Sequence, residues 1–501
     1  MKTLISLFAF LLIMSSNINA QFRVKGKIVA GGSDTDYFNK FSAVVNGNVF
    51  VGCTSSSNKS RTKSENSRGS FDYWVTKLSV KGNSAFTKAW DKTIGGNKGD
   101  NLTAVVATTD GGCLLAGSSS SGISGDKTDT AGSYGSDCWL VKLDKTGNIQ
   151  WQKTIYNIDY TTSVTPNDMD GSTDGGFILC SRTGLTKLDS LGNIVWFQPA
   201  PPNEVYLSVK HTMDGGFILA SNYAYFGNFA TKLTKTDSYG IKQWSKDFSY
   251  DGSGDPEYFH AGASAIQTSD GGYAIYWVLG NSDHYSNYYL DYIELYRLDA
   301  TGNTIWYAKD EHTSAFNYVG LAETIDGGFL LGVSWGGYGV RKLDKNGNML
   351  WEASTPKSDS SAYYTFDELR SIVRISPQSY LLGGTAYNYA DEYVTYVNDV
   401  YVVGITDTTG RNFVPSNFVD NNLASKTNPT DFKVYPNPVK DKLFIQSQKL
   451  ATFILADASG KIFLTINVNG NYTADVSQLS AGIYYLRNTN SKKSLKIIVV
   501  K

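Results

Sequence analysis

From residue 22 onward the chain alternates short apolar runs with tight polar turns, and no stretch keeps a 3.6-residue period long enough to suggest a helix. The runs are rich in Val, Ile, Phe, Tyr and Thr and are bounded by Gly, Asn and Asp, the pattern of antiparallel strands. The pattern predicts an all-β protein.

The strands fall into a repeat. Its first half reads T-x-D-G-G-F-I-L-A-G-S-S and is anchored at Asp110, Asp174, Asp214, Asp270 and Asp326, with degenerate copies at Asn46-Gly47-Asn48 and Pro377-Gln378-Ser379. Its second half, D-x-W-L-V-K-L-D-x-x-G-N-I-x-W, recurs around Lys142-Leu143-Asp144, Lys187-Leu188-Asp189, Arg297-Leu298-Asp299 and Lys342-Leu343-Asp344. It closes on Trp90, Trp151, Trp196, Trp244, Trp306 and Trp351. Each copy resolves into four strands, A to D. Examples are Ala263-Ser264-Ala265-Ile266-Gln267 for A, Phe217-Ile218-Leu219-Ala220 for B, Trp139-Leu140-Val141-Lys142-Leu143 for C and Asn193-Ile194-Val195-Trp196 for D. Asp-Gly-Gly suits the A–B hairpin, because glycine accepts positive φ and Asp bonds nearby backbone N–H groups. Seven copies at roughly 40–65 residues each match propeller blades, so residues 21–411 are expected to form a seven-bladed β-propeller. A β-solenoid or a pair of β-sandwiches is the competing arrangement.

The seventh copy has strands over 369–374, 380–385 and 399–406, but no Trp-bearing fourth strand follows Gly410. Residues 22–32 resemble Trp151-Gln152-Lys153-Thr154-Ile155 in pattern and precede the first strand A. They are expected to complete the last blade and remove the open edges of a seven-unit arc.

Composition narrows the function. Charged residues make up 18% and the net charge is −1, which leaves no electrostatic footprint for nucleic acid. Residues 1–20 read as a signal peptide: Lys2, an apolar stretch over 4–14, then Asn17-Ile18-Asn19-Ala20 as cleavage site. No later run approaches the roughly 18 apolar residues of a transmembrane helix. The four cysteines, Cys53, Cys113, Cys138 and Cys180, could pair as two disulfides, but each sits in a strand, where a buried thiol is the favoured reading.

Residues 412–430 form an Asn-, Ser- and Pro-bearing linker. Beyond it, residues 431–501 carry ten Lys or Arg against four Asp, opposite in sign to the rest, which marks a second domain. Val434-Tyr435-Pro436-Asn437-Pro438-Val439 followed by Leu443-Phe444-Ile445 resembles the start of the type A C-terminal sorting domain of the type IX secretion system. Asp457-Ala458-Ser459-Gly460-Lys461, Leu479-Ser480-Ala481-Gly482-Ile483-Tyr484-Tyr485-Leu486 and Lys496-Ile497-Ile498-Val499-Val500-Lys501 match its later blocks in order. The resemblance covers about the last seventy residues. It implies a small β-sandwich that engages the secretion machinery of Bacteroidota and directs cargo across the outer membrane, to be released or anchored at the cell surface.

No catalytic signature accompanies this. The four histidines, His211, His260, His284 and His312, form no zinc-binding pair, and neither a G-x-S-x-G elbow nor a phosphate-binding glycine loop is present. Asp168, Asp170 and Asp174 loosely resemble a calcium loop but lack its bidentate glutamate, so no metal or cofactor is expected. The A–B and C–D turns are short throughout, whereas the B–C and D–A connections vary and emerge on one face. There the later blades place Tyr223, Tyr225, Phe226, Tyr285, Tyr288, Tyr289, Tyr387, Tyr389 and Tyr393. Tyrosine combines flat apolar area with a hydroxyl, which suits glycan or protein contacts, though such rings can equally cover blade ends. The sequence therefore points to a secreted or cell-surface monomer that binds a glycan or a protein. A carbohydrate-active or other hydrolytic enzyme is the second reading, and a surface-coat protein the third.

Overall fold

A computed structural model describes residues 22–81, 85–130, 135–155, 165–225, 228–249, 258–282, 288–310, 320–334, 338–356, 358, 364–389, 396–407, 432–435, 439–457, 461–490 and 494–500. The chain divides into two compact units, residues 1–411 and 412–501.

The first unit is a seven-bladed β-propeller of seven four-stranded antiparallel sheets. Blade 1 follows the opening strand β1 (Phe22–Ala30) and holds β2 (Asp36–Phe41), β3 (Asn48–Ser55), β4 (Asp72–Lys81) and β5 (Ala85–Ile94). Blade 2 is β6 (Asp100–Ala107), β7 (Cys113–Ser119), β8 (Asp137–Leu143) and β9 (Ile149–Ile155). Blade 3 is β10 (Pro166–Gly171), β11 (Phe177–Ser181), β12 (Gly184–Leu188) and β13 (Ile194–Pro199). Blade 4 is β14 (Glu204–His211), β15 (Phe217–Tyr225), β16 (Asn228–Thr236) and β17 (Lys242–Ser249). Blade 5 is β18 (Tyr258–Gln267), β19 (Tyr273–Ser282), β20 (Tyr288–Leu298) and β21 (Thr304–Asp310). Blade 6 is β22 (Leu321–Glu323), β23 (Phe329–Ser334), β24 (Tyr338–Leu343) and β25 (Met349–Ser354). Blade 7 is β26 (Tyr364–Ser376), β27 (Ser379–Tyr389) and β28 (Tyr396–Asp407), with β1 as its fourth strand, Phe22 opposite Asp407 and Ala30 opposite Val400.

The hydrophobic core is divided among the blade interfaces. Phe38, Val49 and Val51 of blade 1 share one buried cluster with Leu381, Val400 and Val402 of blade 7, so first and last blades pack like any other pair. Phe50, Tyr73 and Val75 of blade 1 pack with Leu115, Trp139 and Val141 of blade 2 in another.

The repeated residues explain themselves in this frame. In blades 2 to 6 the Asp of the A–B turn accepts the backbone N–H of the second following residue, as Gly112 donates to Asp110 at 2.9 Å, and pairs with the cation of strand C. Lys142 reaches Asp110 at 2.7 Å, Lys187 reaches Asp174 at 2.8 Å, Lys235 reaches Asp214 at 2.8 Å and Lys342 reaches Asp326 at 2.6 Å, while Arg297 binds Asp270 through both carboxylate oxygens. Blade 1 has no such Asp, and its Lys77 donates instead to the carbonyls of Gly111 and Lys145 in blade 2. The closing tryptophans join neighbours: Trp151 of blade 2 lies where a Cβ on Gly192, in the C–D turn of blade 3, would come within 2.6 Å. Trp196 and Gly240, Trp244 and Gly302, and Trp306 and Gly347 repeat the arrangement.

The four cysteines are free buried thiols, each pushed above the ordinary range chiefly by burial, Cys138 to about 12.

The second unit contains β29 (Phe432–Tyr435), β30 (Lys442–Asp457), β31 (Ile462–Asp475), β32 (Gly482–Asn488) and β33 (Ser494–Val499). β30 pairs with β29 over its first half and with β32 over its second, and β31 runs beside both halves, with the register broken between Ser447 and Ala451. The sheet thereby folds over one apolar core that includes Phe432, Leu443, Phe453, Leu486 and Ile497, a small β-sandwich. Tyr484 is buried in it and donates its hydroxyl to the Ser480 carbonyl at 3.0 Å. Gly482 opens β32 and Tyr435 ends β29, whereas Pro436, Asn437, Pro438 and Gly460 lie outside the described residues.

Candidate functional site

A cavity of about 570 Å³ is lined by residues of the innermost strand of every blade, or beside it. It therefore lies along the propeller axis. Six of the seven inner strands carry a β-bulge: Asn39, Thr103, Asn167, Leu207, Ala261 and Arg370 each lie at a register break opposite the second strand of their blade, and Asn39, Thr103, Asn167, Leu207 and Arg370 line the cavity. A bulge inserts an unpaired residue and re-aims neighbouring side chains. The bulged positions hold two amides, a hydroxyl, two aliphatic residues and a guanidinium, so equivalent places in equivalent strands carry different chemistry. This supplies the asymmetry that repeated turns lack.

Asp168 on β10 is the centre of the polar wall. Its carboxylate pairs with Lys40 of blade 1, with Lys210 of blade 4 at 2.8 Å, and accepts the backbone N–H of Met169 at 2.8 Å. Burial opposes its charge, but attraction to Lys210 and Lys40 outweighs burial and holds the carboxyl far below the usual range. Burial alone would lower the pKa of Lys210, yet Asp168 and Asp170 keep it above the ordinary lysine value. Across the cavity, Arg370 donates to Glu368 at 3.0 Å and to the Phe38 carbonyl at 3.2 Å. Ser208 and Ser264 are joined at 3.1 Å, and Asn167 donates to the Tyr206 carbonyl at 2.7 Å.

The three aspartates of the loosely calcium-like cluster do not gather into one ligand set. Asp168 serves the axial wall, Asp170 pairs with His211 at 2.8 Å, and Asp174 closes its turn against Lys187. Among the described residues no group of His, Cys, Asp or Glu has metal-binding geometry.

Several of the tyrosines assigned to loops stand on strands. Tyr223 and Tyr225 belong to β15, Tyr288 and Tyr289 to β20, and Tyr387 and Tyr389 to β27, where Tyr389 pairs with Tyr396. Runs of Tyr alternating with small or polar residues have high strand propensity, so in blades 4, 5 and 7 strands B and C extend far enough to carry these tyrosines. Tyr223 carries the Lys232 ammonium 4.4 Å from its ring centre, and Lys232 also bonds Glu204 at 3.0 Å. Tyr387 donates its hydroxyl to Glu368 at 2.8 Å and so joins the group that holds Arg370 in the cavity wall. Phe226, Tyr285 and Tyr393 lie outside the described residues.

Of the cavity residues, only Asp168 was prominent in the sequence. Lys40, Lys210 and Arg370 were missed, although a signal exists: a cation in the middle of an inner strand that matches no cation in the neighbouring copies.

Residues 433–501 match the family of secretion system C-terminal sorting domains, and this part of the chain is a type IX sorting domain that engages the secretion machinery and directs export to the cell surface or medium. No curated protein matches the chain. Among solved structures, a catalytically inactive virginiamycin B lyase from Staphylococcus aureus with quinupristin is 11% identical, with a TM-score of 0.45 over 77% of this chain and 99% of that one. The Pan2 WD40 domain of Neurospora crassa gives 11% identity and 0.45 over 76% and 95%. A protein of unknown function from Dyadobacter fermentans gives 10% and 0.42 over 77% and 100%.

Proposed function

We propose that this protein is an exported binding module that takes a glycan or protein ligand on the face carrying the B–C hairpins of blades 4, 5 and 7. One observation carries the reading: residues that repeat between blades are engaged in framework contacts, while residues that differ line the inner wall and stand on the extended B and C strands of blades 4, 5 and 7. The Tyr387–Glu368–Arg370 chain connects those two places. Variable groups on a rigid scaffold are where recognition usually resides. The hydrolytic reading draws less support, because Asp168 is held ionised by two lysines and so has no proton to give as a general acid.

The test is an array of glycans and proteins probed with the mature protein, with affinities measured for any ligand found. Tyr225→Ala, Tyr288→Ala and Tyr389→Ala are expected to weaken binding, each true anchor by about 2 kcal/mol. Normal binding by all three, together with loss on changing an A–B turn, would place recognition on the opposite face. A chain without residues 431–501 is expected to accumulate in the periplasm, which cell fractionation reads directly.

A further inference from the structure

The ion pairs of the axial cavity are arranged unevenly with respect to solvent. In the Asp168 group the acid is 2% exposed, while Lys40 and Lys210 are 28% and 24% exposed. In the second pair Glu368 is 4% exposed and Arg370 16%. Both acids are set back in the wall, and the cations stand in front of them. An entering molecule therefore meets ammonium and guanidinium groups first. The three cations thus stand foremost, with Asp168, Glu368 and, beside Lys210, Asp170 set behind them, in a space walled partly by Leu102, Ala263 and Ile372. Cations in a partly apolar recess are less well hydrated than on an open surface and favour an anionic partner.

We infer that the axial cavity binds a small hydroxylated carboxylate, the chemistry of a sugar acid. Such a ligand brings a single negative charge to the exposed cations, whereas a phosphate dianion would set twice that charge before the acids Asp168, Asp170 and Glu368 behind them. Arg370 and Lys40 take the carboxylate, Arg being suited to it by its planar fork of donors. Ser208, Ser264, Asn39 and Asn167 offer hydroxyl and amide groups to the ligand's hydroxyls. The volume of about 570 Å³ lies within the range of small-molecule sites. The same chemistry is found in a free sugar acid and in the uronate at the end of a polysaccharide. This inference rests on the reading of the protein as a binding module and gives that module a second, axial subsite.

Isothermal titration of the mature full-length protein with glucuronate, with trigalacturonate, and with glucose and inorganic phosphate as controls tests it. At least one acid should bind, ten-fold or more tighter than glucose and phosphate, and weaken as salt rises. Preference for glucuronate identifies a free acid as the source, and preference for trigalacturonate a polysaccharide. Lys40→Gln and Arg370→Gln should each reduce affinity at least ten-fold, and Tyr225→Ala should leave glucuronate binding unchanged. If either cavity variant fails to fold, Ser264→Phe, which fills the cavity without touching an ion pair, should abolish binding. No binding of either acid, equal binding of glucose, or binding indifferent to every folded cavity variant overturns the inference. Array binding through the tyrosines would in that case still leave the broader reading standing, whereas an array without any ligand would count against that reading too.

Discussion

Lys142, third-strand residue of the second blade, donates to Asp110 in the turn between that blade's first two strands at 2.7 Å. The ammonium is nearly buried, at 6% exposure, and the carboxylate is 46% exposed. The pair thus closes over the end of the blade, and Lys142 is held further by the Leu143 carbonyl and by Gln150. Asp110→Ala is expected to cost about 1–2 kcal/mol, because two acceptors remain for the stranded cation. Urea denaturation measures it, and affinity of the folded fraction for any ligand should not change.

The inter-blade tryptophan contact separates two costs at glycine. Gly175 has φ +82° and open space where a Cβ would stand, whereas Gly192 has φ +76° and would place that Cβ 2.6 Å from Trp151. Gly175→Ala should therefore cost only the left-handed backbone strain, about 1–2 kcal/mol. Gly192→Ala should cost about 1–3 kcal/mol more from overpacking. Equal losses in denaturant would show that the tryptophan yields freely.

Removing residues 22–30 takes β1 away from β28 and leaves Val400 to Asp407 as an unpaired edge. It also removes the Phe22 ring from its edge-on contact with Trp351 at 5.7 Å. Exposed edges recruit other chains. The shortened protein should elute as oligomers or aggregate during size-exclusion chromatography, where the intact chain runs as a single species.

His211 pairs with Asp170, and that hydrogen bond raises the histidine pKa above 6.5 even though burial opposes it. A group whose pKa is raised in the folded state stabilises fully below its unfolded value, and loses that contribution as pH rises through the folded value. Wild type should therefore exceed His211→Gln in stability by more at pH 6 than at pH 8.5. The difference should be under about 1 kcal/mol, because the histidine is half-exposed. Paired urea titrations at the two pH values check it, and an equal gap at both would mean the pair does not titrate in this range.

Much of the architecture was legible along the chain because its signals are local. Asp-Gly-Gly and L-D-x-x-G-N specify hairpins through glycine φ values and Asp–backbone bonds spanning two to four residues, as Asp144 shows in accepting from Thr146 and Asn148. Repetition then amplifies a weak local pattern into a blade count. The sorting domain was legible for a related reason, four sequence blocks in fixed order. The aromatic hairpins were read less well, since a tyrosine-rich run is compatible with either a strand extension or a loop. Only pairing such as that of Tyr389 with Tyr396 decides.

The sequence by itself determined the strands, their turns, the sevenfold repeat and the export tail, because each depends on residues close together in the chain. Which side chains share the axis was decided only by tertiary structure. Lys40, Asp168 and Lys210 come from blades 1, 3 and 4 and meet because ring closure brings their inner strands around one cavity. Their charges are set there as well: low solvent access raises the cost of an unpaired ion, so the carboxylate stays ionised between its lysines through contacts that no local motif encodes.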